Sequence, residues 1–451
     1  MTPPKPVARQ GKTSLLKYLR LFRRDLLSAQ PEHLFTAKMA EFRTPFFRSF
    51  LINQPDLIRQ VLNERPLDFP KSDRVTEGLV PLLGRKSVFV TNGEEWLHQR
   101  RLIEPAFEGG RLRDTFPAML VAAQEAVERL KGRQAFEAEE YFSHFTADVI
   151  FRTLFSVPIS HQLAATAFNE FQSYQKSQPI LNLAAFLPLP RWMPRFHRPG
   201  TRRSAKRLRK AISALTEARA VELRAGIAPD DLASKIMRQT DPVDGSKFSA
   251  EEMIDQVAIF FLAGHETSAA ALAWALYLLA SDETVQNEAL EEAKGLPDNP
   301  TFSDVNGLRF IRDIVRETLR LYPPVPMMVR STTRPERFRN RDLPKGTQIV
   351  ISPWHLHRND RFWSRPDAFE PARFSAKESR EAVREAYLPF SSGARICPGA
   401  GFALTEAVLI LALLIRRFRF FPVDSSLPVP VAHLTLRSKY GVHLGAEVRE
   451  L

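Results

Sequence analysis

The chain has 451 residues, of which 44% are hydrophobic and 25% are charged, a composition that excludes a wholly disordered or collagen-like protein. Lys and Arg exceed Asp and Glu by 13, and the 34 prolines predict many stiff connections rather than flexible coil. The single cysteine, Cys397, excludes a disulfide within the chain, and nothing in the sequence indicates an oxidising compartment.

The first 30 residues form a basic, amphipathic segment. Leucines and Phe22 recur at helical spacing within residues 12–27, with basic residues between them, which predicts a helix that packs on the body of the protein. No uninterrupted apolar stretch follows the first basic residues, and no apolar run reaches the roughly 18–20 residues of a membrane span. We therefore expect one cytoplasmic domain over residues 1–451, with no membrane anchor and no fused electron-transfer domain.

The elements that follow are mostly helical. Residues 47–54 predict a strand with a helix directly after it, and from residue 92 to 313 most periodic segments have helical spacing. After Pro323 the pattern changes to short strands such as 346–352, and a last apolar helix is predicted over residues 402–417. The fold class predicted is mainly α with a minor β region.

A basic segment at residues 191–210 contains nine Lys or Arg and no acid, and so supplies nine of the thirteen excess charges. It follows an apolar, aromatic, proline-rich stretch. A solvated loop and helix start is the simplest interpretation, and peripheral contact of residues 181–210 with an anionic membrane surface is the alternative. We expect no nucleic-acid partner.

One helix is specified unusually well. Ser249 and Glu252 have the spacing of a capping box, and apolar residues continue to about Leu279, about 45 Å at 1.5 Å per residue. Residues 264–267, Gly-His-Glu-Thr, interrupt the apolar pattern at its centre. Because buried polar groups cost free energy unless they are paired, the sequence leaves two alternatives open here, a kinked core helix or a functional site.

Two further patterns place charges in apolar surroundings. Glu317 and Arg320 have the i, i+3 spacing that brings both side chains to one helix face, and Arg373 lies in the segment FEPARF (369–374). Two guanidinium groups can bind one carboxylate from two sides. The second pattern is a glycine-containing loop with Cys397 immediately before the last apolar helix, where the helix dipole favours a thiolate.

Five motifs occur in one order along the chain: Trp96-x-x-x-Arg100, Ala263-Gly-x-Glu-Thr267, Glu317-x-x-Arg320, Pro371-x-Arg373-Phe, and Phe390-x-x-Gly-x-Arg-x-Cys-x-Gly399. In this set the sequence resembles the cytochrome P450 family of haem-thiolate monooxygenases, over nearly the whole chain. The resemblance implies the P450 fold, with haem b between the long central helix and the cysteine-loop helix.

The resemblance also implies roles for individual residues. Cys397 would be the thiolate ligand of the haem iron, Phe390 would shield it, and Gly393 and Gly399 would let the backbone pack close to the sulfur and the porphyrin. The expected partners of the haem propionates are Trp96, Arg100, Arg330 and Arg395. For Trp96, an ordinary core aromatic is the alternative.

On the opposite side of the haem, Gly264 would leave room for dioxygen, and Glu266 and Thr267 resemble the family's acid–alcohol pair for proton delivery. Glu317, Arg320 and Arg373 would serve folding and haem retention. The expected walls of the substrate pocket are apolar: Ala263, Val325, Met327 and Met328.

The implied function is insertion of one oxygen atom from O2 into an apolar substrate, with NAD(P)H electrons delivered by a ferredoxin or flavodoxin and its reductase. Three alternatives stay open: a haem-thiolate peroxygenase, a non-catalytic haem-binding or sensor protein, and a helical binding protein without haem. The absence of an N-terminal anchor favours a soluble bacterial type.

Overall fold

A computed structural model describes residues 1–11, 13–43, 48–108, 110–177, 199–423, 427–432 and 435–450. The chain divides into two compact units. The first comprises Met1–Phe69, Ala123–Phe145 and Glu266–Leu451, and the second comprises Pro70–Ala122 and Thr146–His265. Every strand in the described ranges belongs to the first unit, and helices dominate both. The predicted class, mainly α with a minor β region, is confirmed.

The strands of the first unit form four small sheets. They are β1 (Met39–Arg43), β2 (Arg48–Ile52), β3 (Ala135–Glu137), β4 (Met328–Ser331), β5 (Glu336–Phe338), β6 (Arg341–Leu343), β7 (Gln348–Ile351), β8 (Phe418–Pro422), β9 (Pro430–Ala432), β10 (Leu436–Ser438) and β11 (His443–Val448). The largest has the order β1-β2-β7-β4 and is antiparallel except between β2 and β7. The others are β3-β11-β8, β9-β10 and β5-β6.

The helices of the first unit are α1 (Leu15–Arg24), α2 (Pro55–Arg59), α12 (Glu283–Lys294), α13 (Phe302–Gly307), α14 (Arg309–Leu321), α15 (Pro353–Leu356), α16 (Arg380–Ala386) and α17 (Ala400–Arg417). A π-helical turn, Gln60–Glu64, continues α2. The second unit contains α3 (Asp73–Thr76), α4 (Val80–Leu83), α5 (Gly93–Ile103), α8 (Gln162–Ser177), α9 (Pro199–Arg224) and α10 (Leu232–Arg238). Three helices contribute residues to both units: α6 (Arg111–Leu130), α7 (Ala138–Phe155) and α11 (Ala250–Ala280).

The best-specified predicted elements are confirmed. The long helix α11 has 31 residues, and its capping box forms as the sequence predicts. The Ser249 N–H donates to the Glu252 carboxylate at 2.9 Å, and the Glu252 N–H donates to the Ser249 hydroxyl at 3.3 Å. The strand predicted over 47–54 is β2, and the last apolar helix is α17, which begins two residues earlier than predicted. Within the described ranges, α11 is the one helix long and apolar enough to cross a membrane, and 78% of its most apolar window is buried in the protein, as in a core helix.

The buried carboxylate of Glu317 organises the irregular chain of the first unit. Arg320 donates to it through Nε at 2.7 Å and through Nη2 at 2.8 Å, and Arg373 donates through Nε at 3.1 Å. The remaining N–H groups of Arg320 bind the carbonyl oxygens of His357, Pro366 and Ala368 at 2.6–2.9 Å. All five donors of this guanidinium are therefore used, and they fasten the segment between β7 and α16 to α14.

We expect Glu317→Gln to destabilise the protein by about 3–5 kcal/mol, because loss of one partner leaves the two arginines as uncompensated buried charges. Urea unfolding measures the change. The matched control is Lys294→Met, which removes an exposed i, i+3 ion pair with Glu291 and is expected to leave stability nearly unchanged. Equal effects of the two substitutions would contradict the structural role of Glu317.

Candidate functional site

The cysteine loop leads directly into α17. The Cys397 backbone N–H donates to the Phe390 carbonyl at 2.9 Å, which closes the loop, and α17 begins three residues after Cys397. The Cys397 side chain is exposed and Phe390 is half-buried. The sulfur therefore lies next to the N-terminus of an 18-residue helix, whose N–H dipoles favour the charged thiolate.

The two glycines of the cysteine loop, Gly393 and Gly399, differ in backbone conformation and in the atoms close to them. Gly393 adopts φ +65°, and a Cβ there would lie 2.2 Å from the Leu62 carbonyl oxygen. The π-helical turn therefore leaves no room for a side chain at position 393. The positive φ angle also disfavours any residue other than glycine. A Cβ at Gly399 would lie 3.9 Å from the Cys397 Sγ, an ordinary contact distance. The close packing of Gly399 against the sulfur and the porphyrin stays a prediction, whereas Gly393 packs against residues 62 and 63.

Two arginines of the first unit lie near each other. Arg330, on β4, is buried, and burial together with the charge of Arg395 lowers the pKa of Arg330 to about 10. One of its N–H groups donates to the Val329 carbonyl at 3.2 Å, but its Nε has no hydrogen-bond partner among the described residues. Neighbouring guanidinium groups repel each other unless an anion lies between them. These two side chains fit the carboxylates of a haem, and the thiol at the start of α17 fits its iron.

The acid of the central motif is held by residues that the sequence did not point to. Glu266 is buried, and its Oε1 accepts a hydrogen bond from the Thr435 hydroxyl at 2.6 Å. The Arg437 guanidinium lies 3.3 Å from the same oxygen. Thr267 is half-buried on the next position of α11. No local signal could have found Thr435, because 169 positions separate it from Glu266.

A second buried acid, Glu406, lies on α17. Its side chain is fully buried, and burial raises its pKa to about 8, an effect that the nearby Ser268 hydroxyl opposes. Neither carboxyl oxygen has a partner of hydrogen-bond geometry in the described part of the chain. Burial therefore favours the neutral form of the Glu406 carboxyl group, which lies near Ser268 on the helix segment that also carries Glu266 and Thr267.

In the second unit, Gly264 and His265 are closely packed against side chains of neighbouring helices. A Cβ at Gly264 would lie 2.4 Å from the Ile150 Cδ1, so that α7 packs closely on this glycine. The buried His265 ring lies among Phe168, Phe171 and Phe261, with centroid distances of 5.0–5.6 Å. Ala263 is exposed. The room for dioxygen at Gly264 stays a prediction, since the observed reason for the glycine is packing.

Trp96 and Arg100 also belong to the second unit, on α5. Trp96 is buried, with the Lys71 ammonium 5.9 Å and the Arg100 guanidinium 6.0 Å from its ring centre. Arg100 forms an ion pair with Glu104 one turn further on. The proposed contacts of Trp96 and Arg100 with haem propionates therefore stay predictions.

One group in the described ranges has the spacing of metal ligands, His98, Asp241 and Asp244. Arg101 donates to both oxygens of Asp241 at 2.8 and 2.7 Å, and the His98 Nδ1 lies 2.5 Å from the same carboxylate. Because Arg101 already supplies a positive charge to this carboxylate, we assign no metal to the group.

The predicted pocket walls of the first unit follow α14. Val325 is exposed, and Met327 and Met328 are half-buried. Met328 begins β4, where it pairs with Ile351 of β7. Their contact with a substrate stays a prediction. The stretch 178–198, which holds most of the suggested membrane-contact segment, lies outside the described residues, and residues 199–210 form the first part of α9.

The family model "Cytochrome P450" matches residues 30–442. A cyclooctat-9-en-7-ol 5-monooxygenase of Streptomyces melanosporofaciens is 31% identical over 430 residues, which cover 92% of this chain and 90% of the relative. A taurochenodeoxycholic 6 alpha-hydroxylase of Sus scrofa is 29% identical over 421 residues (87% and 81%), and a cytokinin hydroxylase of Arabidopsis thaliana is 29% identical over 409 residues (87% and 78%). The chain therefore belongs to the cytochrome P450 family, whose members bind haem, and is a monooxygenase of that family.

Proposed function

We propose that this enzyme inserts one oxygen atom from O2 into an apolar organic substrate, with electrons that originate from NAD(P)H and arrive through a separate ferredoxin or flavodoxin and its reductase. The observation that carries the proposal is the placement of Cys397 at the start of α17, together with the neighbouring guanidinium groups of Arg330 and Arg395.

Individual residues of the chain would have the following roles in this reaction. Cys397 would ligate the haem iron, and Arg330 and Arg395 would bind the propionates as charge-assisted hydrogen-bond donors. When bound, a thiolate-ligated haem supplies activation of O2 and cleavage of its O–O bond. The Thr267 hydroxyl can both accept and donate a proton, and the Glu266 carboxyl can resupply it.

The alternatives make different demands on these residues. A peroxygenase or a non-catalytic haem sensor needs no carboxyl and hydroxyl side by side at the centre of α11. The adjacency of the buried Glu266 and Thr267 thus favours the O2-dependent reaction. A cytoplasmic location is part of the proposal, and it rests on the single cysteine and the composition of the sequence.

The first experiment is the absorption difference spectrum of the dithionite-reduced protein with and without carbon monoxide. We expect a strongly red-shifted Soret band from thiolate ligation by Cys397, and Cys397→Ser should abolish the red shift. No haem in well-folded wild-type protein supplied with haem, or a Soret position typical of histidine ligation, would contradict the proposal.

Haem retention should depend on Arg330. We expect Arg330→Met to release haem to an excess of apomyoglobin about 10- to 100-fold faster, since a hydrogen bond to a charged group contributes about 1.5–3 kcal/mol. Arg334→Met is the matched control, because Arg334 is 59% exposed and its partners are Asp68 and Glu336. If both variants release haem at the wild-type rate, Arg330 is not a propionate partner.

Thr267→Ala should yield more hydrogen peroxide per electron than the wild type, because the hydroxyl that passes protons onward is lost. The measurement is peroxide and product formed per NAD(P)H with a surrogate ferredoxin and reductase, on a compound that shifts the haem spin state. Thr267→Ser keeps the hydroxyl and should retain most of the wild-type coupling. Unchanged coupling in Thr267→Ala would remove Thr267 from proton delivery.

A further inference from the structure

His357 directly follows α15, and its side chain is completely buried beside α14. The ring Nδ1 lies 3.2 Å from the Arg320 carbonyl oxygen, and the Leu388 backbone N–H donates to Nε2 at 2.8 Å. Because a carbonyl oxygen only accepts and a backbone N–H only donates, Nδ1 carries the proton and Nε2 keeps its lone pair. The two contacts therefore select one tautomer of a neutral ring, which bridges α14 and Leu388.

The surroundings of the ring keep it neutral. Burial, together with the charges of Arg320 and Arg358, lowers the pKa of His357 to about 3. The Arg320 guanidinium also donates to the His357 carbonyl oxygen at 2.8 Å, so that two separate hydrogen bonds join this arginine to the histidine. A charged ring would turn Nε2 into a donor that faces the Leu388 N–H, and two buried donors would then lack an acceptor.

The helix α14 holds the residues before the cysteine loop at two points. The Arg320 carbonyl lies in the last turn of α14, where carbonyl oxygens have no partner within the helix. It binds the ring of His357 and, through that ring, Leu388. One turn earlier, the Arg316 carbonyl accepts a hydrogen bond from the Tyr387 hydroxyl at 2.9 Å. Two consecutive residues are thus fastened to the same helix.

The chain between Leu388 and Cys397 is stiff. Pro389 restricts its own φ angle and the conformation of the residue before it. The Leu388 carbonyl accepts a hydrogen bond from the Ser391 N–H at 3.3 Å, and the Phe390 carbonyl accepts one from the Cys397 N–H at 2.9 Å. The orientation of the Leu388 peptide group therefore determines, through a short and internally bonded backbone, where the Cys397 backbone lies.

We propose that His357 is a positioning residue for Cys397: its ring holds the cysteine loop against α14, so that the sulfur stays where it can ligate the haem iron as a thiolate. The inference rests on the proposed function, in which Cys397 is that ligand. Without the Nε2 acceptor, the buried Leu388 N–H would lose its partner. The loop would then reach other positions, in which the sulfur leaves the iron and takes up a proton from solvent.

The variants for the first test come from two neighbouring buried histidines. His357→Leu removes both hydrogen bonds of the ring, whereas His357→Gln keeps a side-chain oxygen that can accept from the Leu388 N–H. The matched control is His355→Leu. His355 is also buried, and burial lowers its pKa to about 3, but its Nδ1 lies 2.8 Å from the Ser352 hydroxyl instead of bridging to the cysteine loop.

The first measurement is the lifetime of the red-shifted Soret band of each reduced carbon monoxide complex in buffer without urea. We expect His357→Leu to lose this thiolate band about tenfold faster than the wild type, since a buried donor loses its acceptor. His357→Gln should keep most of the wild-type lifetime. His355→Leu should keep all of it, even where urea unfolding shows an equal loss of stability. Equal lifetimes in His357→Leu and His355→Leu would overturn the proposal.

The second measurement reads the ring in the wild-type protein. In nitrogen-15 spectra of the reduced carbon monoxide complex with labelled histidine, the His357 signal is the one that is missing in His357→Gln. We expect a protonated Nδ1 and an unprotonated Nε2 from about pH 6 to 8, because the pKa of the buried ring is about 3. The opposite tautomer, or a ring that becomes charged in this range, would overturn the proposal, since neither can accept from the Leu388 N–H.

Failure of this inference is separable from failure of the proposed function. If the wild-type protein never shows the red-shifted carbon monoxide band, ligation by Cys397 fails, whatever the tautomer of His357. If the band forms and decays at the same rate in the wild type and in His357→Leu, the enzyme stands and His357 is a structural residue only.

Discussion

The irregular part of the first unit depends on the burial of a complete ionic cluster around Glu317. Both Glu317 and Arg320 are fully buried, and Arg373 is nearly so. Removing such charges from water costs several kcal/mol per ion, and the cost is offset only when every donor and lone pair is used. The Glu370 N–H also donates to the Glu317 carboxylate, at 2.9 Å. A chain segment with little regular secondary structure is thereby fixed by ionic and carbonyl contacts, where most segments depend on apolar packing.

The pairing of buried polar atoms differs between the Glu317 cluster and the neighbouring arginines Arg330 and Arg395. At Glu317 each polar atom is matched within the protein. At Arg330 a buried guanidinium keeps an Nε without a partner in the described residues and lies beside a second positive charge. Such an arrangement costs stability unless a ligand supplies the missing acceptors. The contrast separates the buried charges that are paired within the scaffold from those that we propose bind the haem propionates.

Sequence reasoning succeeded where the determinants are local. The capping box of α11, the i, i+3 pair of α14 and the Cys397 position before α17 each depend on a few neighbouring residues. It failed where a contact joins distant segments. The Ile150 side chain against Gly264, and the hold of Thr435 and Arg437 on Glu266, carry no periodicity or motif in the sequence. A glycine in a motif indicates that another group lies close to the backbone at that position, but the sequence does not identify that group.

The contact of Gly393 with the π-helical turn Gln60–Glu64 makes that turn part of the support of the cysteine loop. The Ser392 hydroxyl also donates to the Asn63 Oδ1 at 2.9 Å, across 329 positions of the chain. A π-helical turn differs in backbone shape from the α-helix that it continues, and the Leu62 carbonyl oxygen within it would lie 2.2 Å from a Cβ at position 393. A change that rewinds residues 60–64 into regular α-helix would have to be accompanied by a change in the loop before Cys397, so the two stretches are expected to vary together among descendants of this enzyme.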